Sequence, residues 1–233
     1  MSAEIRVLEN PELLSLAAAS EIAGEIRRVL EDKPRVRIVL TGGTLGIQIL
    51  KDLRALEIPV SKLDVFFGDE RFVPLADSDR NEYQALEAWP ELRTARLFRF
   101  PDTNGTLELA RVEFDSLISS ELGPLYKDAA VFDILILGMG PDGHIASLFP
   151  DHRHPDAWIV AESDSPKPPA QRLSFSYQAL NRSEKVWFLV SGKTKSAATR
   201  AVLNDPACEL PAARISGMSA TNWFLDLEAS RAL

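Results

Sequence analysis

The stretch FDILILGMGPDGHIASLFP, residues 132–150, decides the fold of this chain and indicates its chemistry. Its first six residues form an apolar run that is typical of a buried strand. A glycine-rich turn follows and carries Asp142 and His144. In α/β proteins, the carboxyl end of such a strand opens into a crevice where ligands bind. Because histidine titrates near neutral pH, His144 is a candidate acid–base residue at that crevice.

Apolar runs alternate with amphipathic stretches over the rest of the chain. Strands are predicted at 35–40, 63–67, 96–100, 132–137, 158–161, 172–175, 184–190 and 222–227. Helices are predicted at 11–31, 45–56, beyond the charged loop that begins at residue 76, at 106–122, and from the SGKTK segment to about residue 203. Gly123-Pro124 is expected to end the fourth helix. This alternation predicts an α/β fold, a doubly wound, mostly parallel sheet flanked by helices in a Rossmann-like three-layer sandwich, built as a single domain over residues 1–233.

Composition narrows the classes of partner. The formal net charge of −8, from 26 basic and 34 acidic residues, argues against a general nucleic-acid or anionic-membrane binder, so we expect neither partner. Cys208 is the single cysteine, which excludes an intrachain disulfide and a cysteine-based zinc cluster. The first ten residues lack the features of a secretory signal, and no apolar run has the length of a membrane span. We therefore expect a cytoplasmic protein.

Four polar, glycine-containing loops follow predicted strands: TGGT at 41–44, GDER at 68–71, GMGPDGH at 138–144 and SGKTK at 191–195. The carboxyl ends of parallel strands lie along one edge of the sheet. We therefore expect all four loops to reach the same crevice.

The TGGT loop is a candidate anion site. Gly42 and Gly43 let backbone N–H groups approach an anion closely, the following helix adds its N-terminal partial charge, and Thr44 adds a hydroxyl. A tight strand-to-helix turn explains these glycines equally well, and the loop alone does not separate the two interpretations.

The charged residues of the other loops indicate a function less specifically. In GDER, Asp69 is a candidate for orienting another catalytic group and Arg71 for binding an anion, although a solvated loop with an Arg71–Glu70 ion pair is the simpler interpretation. Lys193 or Lys195 is a candidate phosphate contact, with surface exposure as the equally supported alternative. Arg172, after the proline-rich loop at 163–170, has the same two interpretations.

The Asp142/His144 pair carries the sharpest chemical prediction. The carboxylate can fix the imidazole tautomer or contact substrate. No G-x-S-x-G motif is present, which favours water activation by histidine over a covalent mechanism. The alternative, a histidine that caps the next helix, leaves the surrounding glycines unexplained.

His152 and His154, with Asp151 or Asp156, are a conceivable metal set. An exposed loop is the better interpretation, because no third histidine stands at ligand spacing. We expect neither a metal nor a cofactor.

Taken together, VLTGGT, GDERFVP, GMGPDGHIASLFP and SGKTKSA resemble the 6-phosphogluconolactonases, which share a superfamily with the glucosamine-6-phosphate deaminases/isomerases. The resemblance spans nearly the whole chain in the same motif order. The G-x-G-x-D-G-H segment fits both branches, and the tail SLFP is similar to the lactonase. The alternative is the deaminase branch, which carries a glutamate where this chain has Phe149. That branch also carries a tyrosine or a similar residue after its Asp-Glu pair, where this chain has Arg71.

The resemblance implies hydrolysis of 6-phospho-D-glucono-1,5-lactone, the second step of the oxidative pentose phosphate pathway, with this sugar-phosphate lactone as the partner. By motif, the base that activates water would be His144, and Asp142 would support it or hold substrate. The resemblance also assigns substrate or phosphate contacts, which are Gly42, Gly43, Thr44, Asp69, Arg71, Arg172 and Lys195. We expect a monomer or a weak dimer.

The chain departs from the lactonase pattern in three places. TGGTLG lacks the proline of the usual S-G-G-S-T-P, Arg80-Asn81 stands for Ser-Asn, and SFSYQAL replaces a T-L-T run. These departures concern the phosphate loop and Arg172, and they leave the histidine segment unchanged.

Overall fold

The computed structural model describes residues 3–123, 129–153, 155 and 157–233. Pro124, His154 and Asp156 lie outside the described residues, so the predicted helix stop at Gly123-Pro124 and the predicted His152/His154 metal set are not tested in full.

The described residues form ten strands and six α-helices. The strands are β1 (Glu4–Leu8), β2 (Val36–Leu40), β3 (Leu63–Phe67), β4 (Asp69–Arg71), β5 (Arg96–Leu97), β6 (Phe132–Gly138), β7 (Ile159–Glu162), β8 (Arg172–Phe175), β9 (Ser183–Val190) and β10 (Ala220–Asp226). The helices are α1 (Pro11–Asp32), α2 (Gly43–Arg54), α3 (Asn81–Ala88), α4 (Leu107–Leu122), α5 (Tyr177–Leu180) and α6 (Ser196–Asn204).

Seven strands form one parallel sheet in the order β1-β10-β9-β6-β2-β3-β5. In the centre, Leu135 of β6 pairs with Val39 of β2 on one side and with Val186 of β9 on the other. The predicted parallel α/β architecture is therefore confirmed. From β2 the chain runs outward through β3 and β5, and from β6 it runs the opposite way through β9. The gap between the carboxyl ends of β2 and β6 is the switch point, where α/β sheets bind ligands.

A second, antiparallel sheet of three strands, in the order β4-β8-β7, stands beside the first. Gly68 joins the two sheets, because its N–H donates to Leu40 of β2 and its carbonyl accepts from Phe175 of β8. Aromatic contacts reinforce the junction: the Phe175 ring lies 5.3 Å from Phe132 and 6.4 Å from Phe66. This small sheet places Arg71 opposite Arg172 at the switch point.

Local sequence explains the helix that covers the sheet. Asn10 caps α1 by accepting the N–H of Leu13, and Pro11 occupies its first turn. Its apolar residues recur at helical spacing and are buried, among them Leu14, Ala18 and Ile22.

Several boundaries differ from the predictions. β1 was not predicted, because its EIRVL sequence is largely exposed at the sheet edge and shows no buried run. β5 ends at Leu97 rather than at residue 100, and the predicted loop GDER contains a strand, β4. No helix in the described part of the chain has the length and apolar character needed to span a membrane.

Candidate active site

A cleft of about 290 Å³ opens at the switch point, and all four predicted strand-end loops contribute to its wall. Eight of the nine predicted site residues line it: Gly42, Gly43, Thr44, Asp69, Arg71, His144, Arg172 and Lys195. The ninth, Asp142, is outside the wall and contacts His144. Asn81 and Lys167 also line the cleft and were not predicted.

The glycine loop brings the N-terminus of α2 to the cleft. Gly43 has φ +81°, a conformation that L side chains rarely adopt. A Cβ on Gly42 would lie 1.9 Å from Oδ1 of Asn81, so the close packing of these two residues requires glycine. The first turn of α2 has no acidic residue. Its N-terminal N–H groups and partial positive charge are therefore suited to an anion.

Asp69 is the centre of a buried hydrogen-bond network. Its Oδ2 accepts the Ser147 hydroxyl at 2.6 Å, and its Oδ1 accepts the Asn81 side-chain amide at 3.1 Å. Arg172 Nη1 lies 3.8 Å from Oδ2. The network ties β4 to the histidine segment and to the start of α3.

Glu70, the neighbour of Asp69, is buried and holds the start of α3. Its carboxylate accepts the backbone N–H groups of Arg71, Asn81 and Glu82 at 2.7–2.9 Å. Burial raises the pKa of this carboxyl to about 7 despite these donors. Its nearest guanidinium is that of fully buried Arg80, at 3.7 Å, so the predicted Arg71–Glu70 ion pair is wrong. Arg71 instead donates to the carbonyl of Asp79.

The glycine turn after β6 holds His144 against Asp142. Nδ1 of His144 lies 2.5 Å from Oδ1 of Asp142, and the turn is closed by a 2.8 Å bond from the Gly140 N–H to the His144 carbonyl. A Cβ on Gly140 would lie 2.0 Å from Nδ1 and 2.6 Å from the Asp142 carboxylate. Gly140 therefore provides the space that the pair occupies.

The charge states of this pair suit a general base. Burial lowers the pKa of His144 below its ordinary value, against the opposing effect of Asp142. Burial opposes ionisation of Asp142, but its contacts with His144 outweigh it and lower the pKa of that carboxyl. Near neutral pH, Nδ1–H of a neutral imidazole then donates a hydrogen bond to the ionised Asp142, and Nε2 is left as the acceptor.

Phe149 packs on the catalytic histidine candidate. Its ring centroid lies 4.8 Å from that of His144 and 5.5 Å from that of His152. His152 in turn lies 2.8 Å from the buried carboxylate of Glu162. An aromatic ring thus covers one side of the His144 imidazole.

Four cationic side chains line the cleft: Arg71, Lys167, Arg172 and Lys195. Of the two lysines left open by the sequence, Lys195 is in the cleft wall and Lys193 is exposed outside it. Burial lowers the pKa of Lys195, and the charge of Lys167 adds to this effect. Such a cluster of positive charge suits an anionic ligand, although the whole chain is acidic.

Among the residues that the structure describes, no group of three or more His, Cys, Asp or Glu side chains is placed to hold a metal. His152, one member of the predicted set, pairs with Glu162. His154 and Asp156 belong to the parts of the chain that are not described.

Asn81 and Lys167 were missed because neither follows a strand of the main sheet. Asn81 begins α3, and Lys167 lies in the proline-rich loop between β7 and β8. A sequence signal existed for Asn81, since it ends the charged loop that follows GDER. Lys167 had none, because a lysine among prolines looks like any exposed loop residue.

Comparison with known proteins agrees with this geometry. Residues 9–223 match the family described as glucosamine-6-phosphate isomerases/6-phosphogluconolactonase. A 6-phosphogluconolactonase of Mycobacterium leprae is 36% identical over 243 aligned positions, which cover 99% of this chain and 98% of the relative. The crystal structure of 6-phosphogluconolactonase from Thermotoga maritima superposes with a TM-score of 0.83 at 28% identity, covering 97% of this chain and all of that one. A monomeric glucosamine-6-phosphate deaminase superposes with a TM-score of 0.80 over 99% of this chain and all of the other, but at 20% identity this likeness shows the fold alone.

Proposed function

The chain belongs to the glucosamine-6-phosphate isomerase/6-phosphogluconolactonase family, and we propose that it acts as a 6-phosphogluconolactonase. Its substrate would be 6-phospho-D-glucono-1,5-lactone and its product 6-phosphogluconate. The observation that carries the proposal is the Asp142–His144 pair, set in the same cleft as a cationic anion site. Relatives that are 30–36% identical over nearly the whole chain and carry the lactonase name support it.

The proposed reaction begins with water activated by His144. As the water oxygen attacks the lactone carbonyl carbon, Nε2 of His144 takes a proton, and the carbonyl oxygen becomes an oxyanion. Asp142 holds the imidazole in the tautomer that accepts this proton and stabilises the imidazolium that results. The depressed pKa of His144 keeps the base deprotonated at neutral pH.

In the second step the oxyanion reforms the carbonyl, and the bond between the carbonyl carbon and the ring oxygen breaks. The imidazolium returns its proton to the departing ring oxygen, so the histidine is regenerated. The product acid then loses its own proton to solvent. A lactone is an activated ester, so these steps require no covalent enzyme intermediate.

The phosphate orients the substrate at a distance from the reacting carbon. Gly42, Gly43 and Thr44 at the start of α2, together with Lys195, form the proposed phosphate site. Binding a dianion at this end fixes the carbonyl relative to His144, which is the usual contribution of a non-reacting group to catalysis.

The deaminase/isomerase alternative is not favoured, because Phe149 packs on His144 where that branch carries a glutamate. The deciding experiment supplies freshly prepared lactone and couples product formation to 6-phosphogluconate dehydrogenase, with spontaneous hydrolysis subtracted. We expect rapid enzyme-dependent turnover and no ammonia release from glucosamine 6-phosphate. Ammonia release without lactone turnover would overturn the proposal.

A further inference from the structure

The proposed hydrolysis needs a donor for the carbonyl oxygen when it becomes an oxyanion, because that charge forms in a partly buried cleft beside His144. The glycine turn offers few free backbone N–H donors for this oxyanion. The N–H of Gly140 donates to the His144 carbonyl at 2.8 Å, that of Gly143 to Gly140 at 3.1 Å, and that of His144 to Asp142 at 3.3 Å. These three backbone donors of the turn are therefore already in use.

Several polar side chains around the base also make contacts within the protein. The Ser147 hydroxyl and the Asn81 amide both donate to Asp69. Arg71 donates to the Asp79 carbonyl through Nη1, and its Nε, which has no hydrogen-bond partner, is buried rather than open to the cleft. Arg172 Nε donates to Pro169 at 3.1 Å. Through these contacts the four side chains link the segments that surround the cleft.

Lys167 differs from these residues. Its side chain lines the cleft and is exposed, and within the described ranges no carboxylate lies within 4.0 Å of its ammonium. Its charge lowers the pKa of both His144 and Lys195, so the ammonium is within electrostatic reach of both. In the proposed site, Lys195 and the α2 N-terminus bind the phosphate. Lys167 is left as the cation for the other end.

The backbone of Lys167 is fixed although its side chain is exposed. Its carbonyl accepts Nη2 of Arg172 at 3.0 Å and the Ser165 hydroxyl at 3.0 Å, and both donors are more than nine-tenths buried. Its own N–H donates to the Ser165 hydroxyl oxygen at 3.3 Å. Arg172 thus anchors the proline-rich loop at the residue that carries the ammonium.

We propose that Lys167 is a catalytic residue that donates a hydrogen bond to the lactone oxyanion, and that Arg172 is a positioning residue that holds Lys167 in place. This inference rests on the proposed lactonase function. No proton leaves Lys167 in the step: the ammonium stabilises the negative oxygen until the carbonyl reforms.

The first test compares Lys167→Met with Lys193→Met, which removes the same charge from an exposed lysine outside the cleft. For Lys167→Met we expect kcat to fall by about 10²–10³-fold, the usual effect of losing one oxyanion donor, with KM changed by less than about threefold. Lys193→Met should keep wild-type constants within about twofold. A raised KM with unchanged kcat would instead make Lys167 a phosphate contact and overturn the inference.

A second readout does not depend on turnover. Removing the Lys167 charge should raise the pKa of His144, followed by NMR titration of the imidazole, and Lys193→Met should leave it unchanged. An unshifted His144 titration in Lys167→Met would contradict the placement of the ammonium. Lys167→Gln serves as a second uncharged variant should the methionine variant not fold.

The positioning role of Arg172 is tested by a double-mutant cycle. If Arg172 acts through Lys167, Arg172→Met lowers kcat, and adding it to Lys167→Met lowers kcat no further. Independent losses that multiply would refute the positioning role. If the wild-type protein itself fails to hydrolyse the lactone, the proposed function fails, an outcome distinct from an active wild type with a fully active Lys167→Met.

Discussion

The substitution Gly140→Ala is expected to disturb the contact between Asp142 and His144 while changing the stability of the fold only slightly. The new Cβ would lie 2.0 Å from Nδ1 of His144, whereas ordinary contact begins at 3.4 Å, so the ring must move by about 1.4 Å. It would also lie 2.6 Å from the carboxylate of Asp142. A displacement of about 1 Å in a catalytic group can reduce the rate by about 10²-fold. We therefore expect Gly140→Ala to lower kcat by 10²-fold or more.

Stability should change much less. The backbone at Gly140 is outside the positive-φ region, so alanine is compatible with it, and the substitution gains about 0.4–1 kcal/mol by restricting the unfolded chain. Loss of the contact between Asp142 and His144 opposes this gain by a similar amount, about 0.5–1.5 kcal/mol. Urea unfolding should therefore give a free energy within about 2 kcal/mol of the wild-type value.

The matched control is Gly24→Ala, in the exposed middle of α1, where a Cβ meets nothing within 4 Å. It should raise the free energy of unfolding by about 0.5–1 kcal/mol and leave lactone turnover unchanged. Both variants are assayed on fresh lactone. Wild-type kcat in Gly140→Ala would refute the argument that the spacing between Asp142 and His144 matters for activity.

Three further predictions concern other parts of the site. Asp142→Asn removes the charge that raises the pKa of His144, so the acid limb of the pH profile of kcat/KM should move to lower pH. We also expect kcat to fall by about 10²-fold or more, and an acid limb that moves to higher pH would contradict this prediction. Ser147→Ala removes the hydroxyl that donates to buried Asp69 at 2.6 Å, and we expect the free energy of unfolding by urea to fall by about 1–3 kcal/mol. An unchanged free energy of unfolding would contradict the proposed stabilising role of the Asp69 network. Lys195→Met should raise KM for the phosphorylated lactone by about tenfold or more, whereas Lys193→Met should change it by less than about twofold. Equal effects of the two substitutions would refute the assignment of Lys195 to the phosphate site.

The sequence predicted the fold well where burial imposes a continuous apolar run. β2, β3, β6 and β9 are such strands, and the loops after them lie in one cleft because parallel strands share an edge. β1 escaped prediction because an edge strand needs no such run. β4 escaped it because its charges are satisfied by distant partners, such as Glu70 by the start of α3.

The same limit applies to the site. Asp142 and His144 meet through a local turn, so their pairing was accessible from spacing alone. The position of Lys167 depends on a hydrogen bond from Arg172 and on the packing of the small sheet. The position of Asn81 depends on its contact with Asp69 of β4. These are tertiary contacts that no local pattern encodes.

The central claim is that His144 activates water in lactone hydrolysis. The most direct measurement is kcat of His144→Ala on freshly prepared 6-phospho-D-glucono-1,5-lactone, after subtraction of spontaneous hydrolysis and with folding verified by circular dichroism. We expect a loss of about 10²–10⁴-fold relative to the wild-type enzyme. A folded His144→Ala protein with wild-type turnover would contradict the claim.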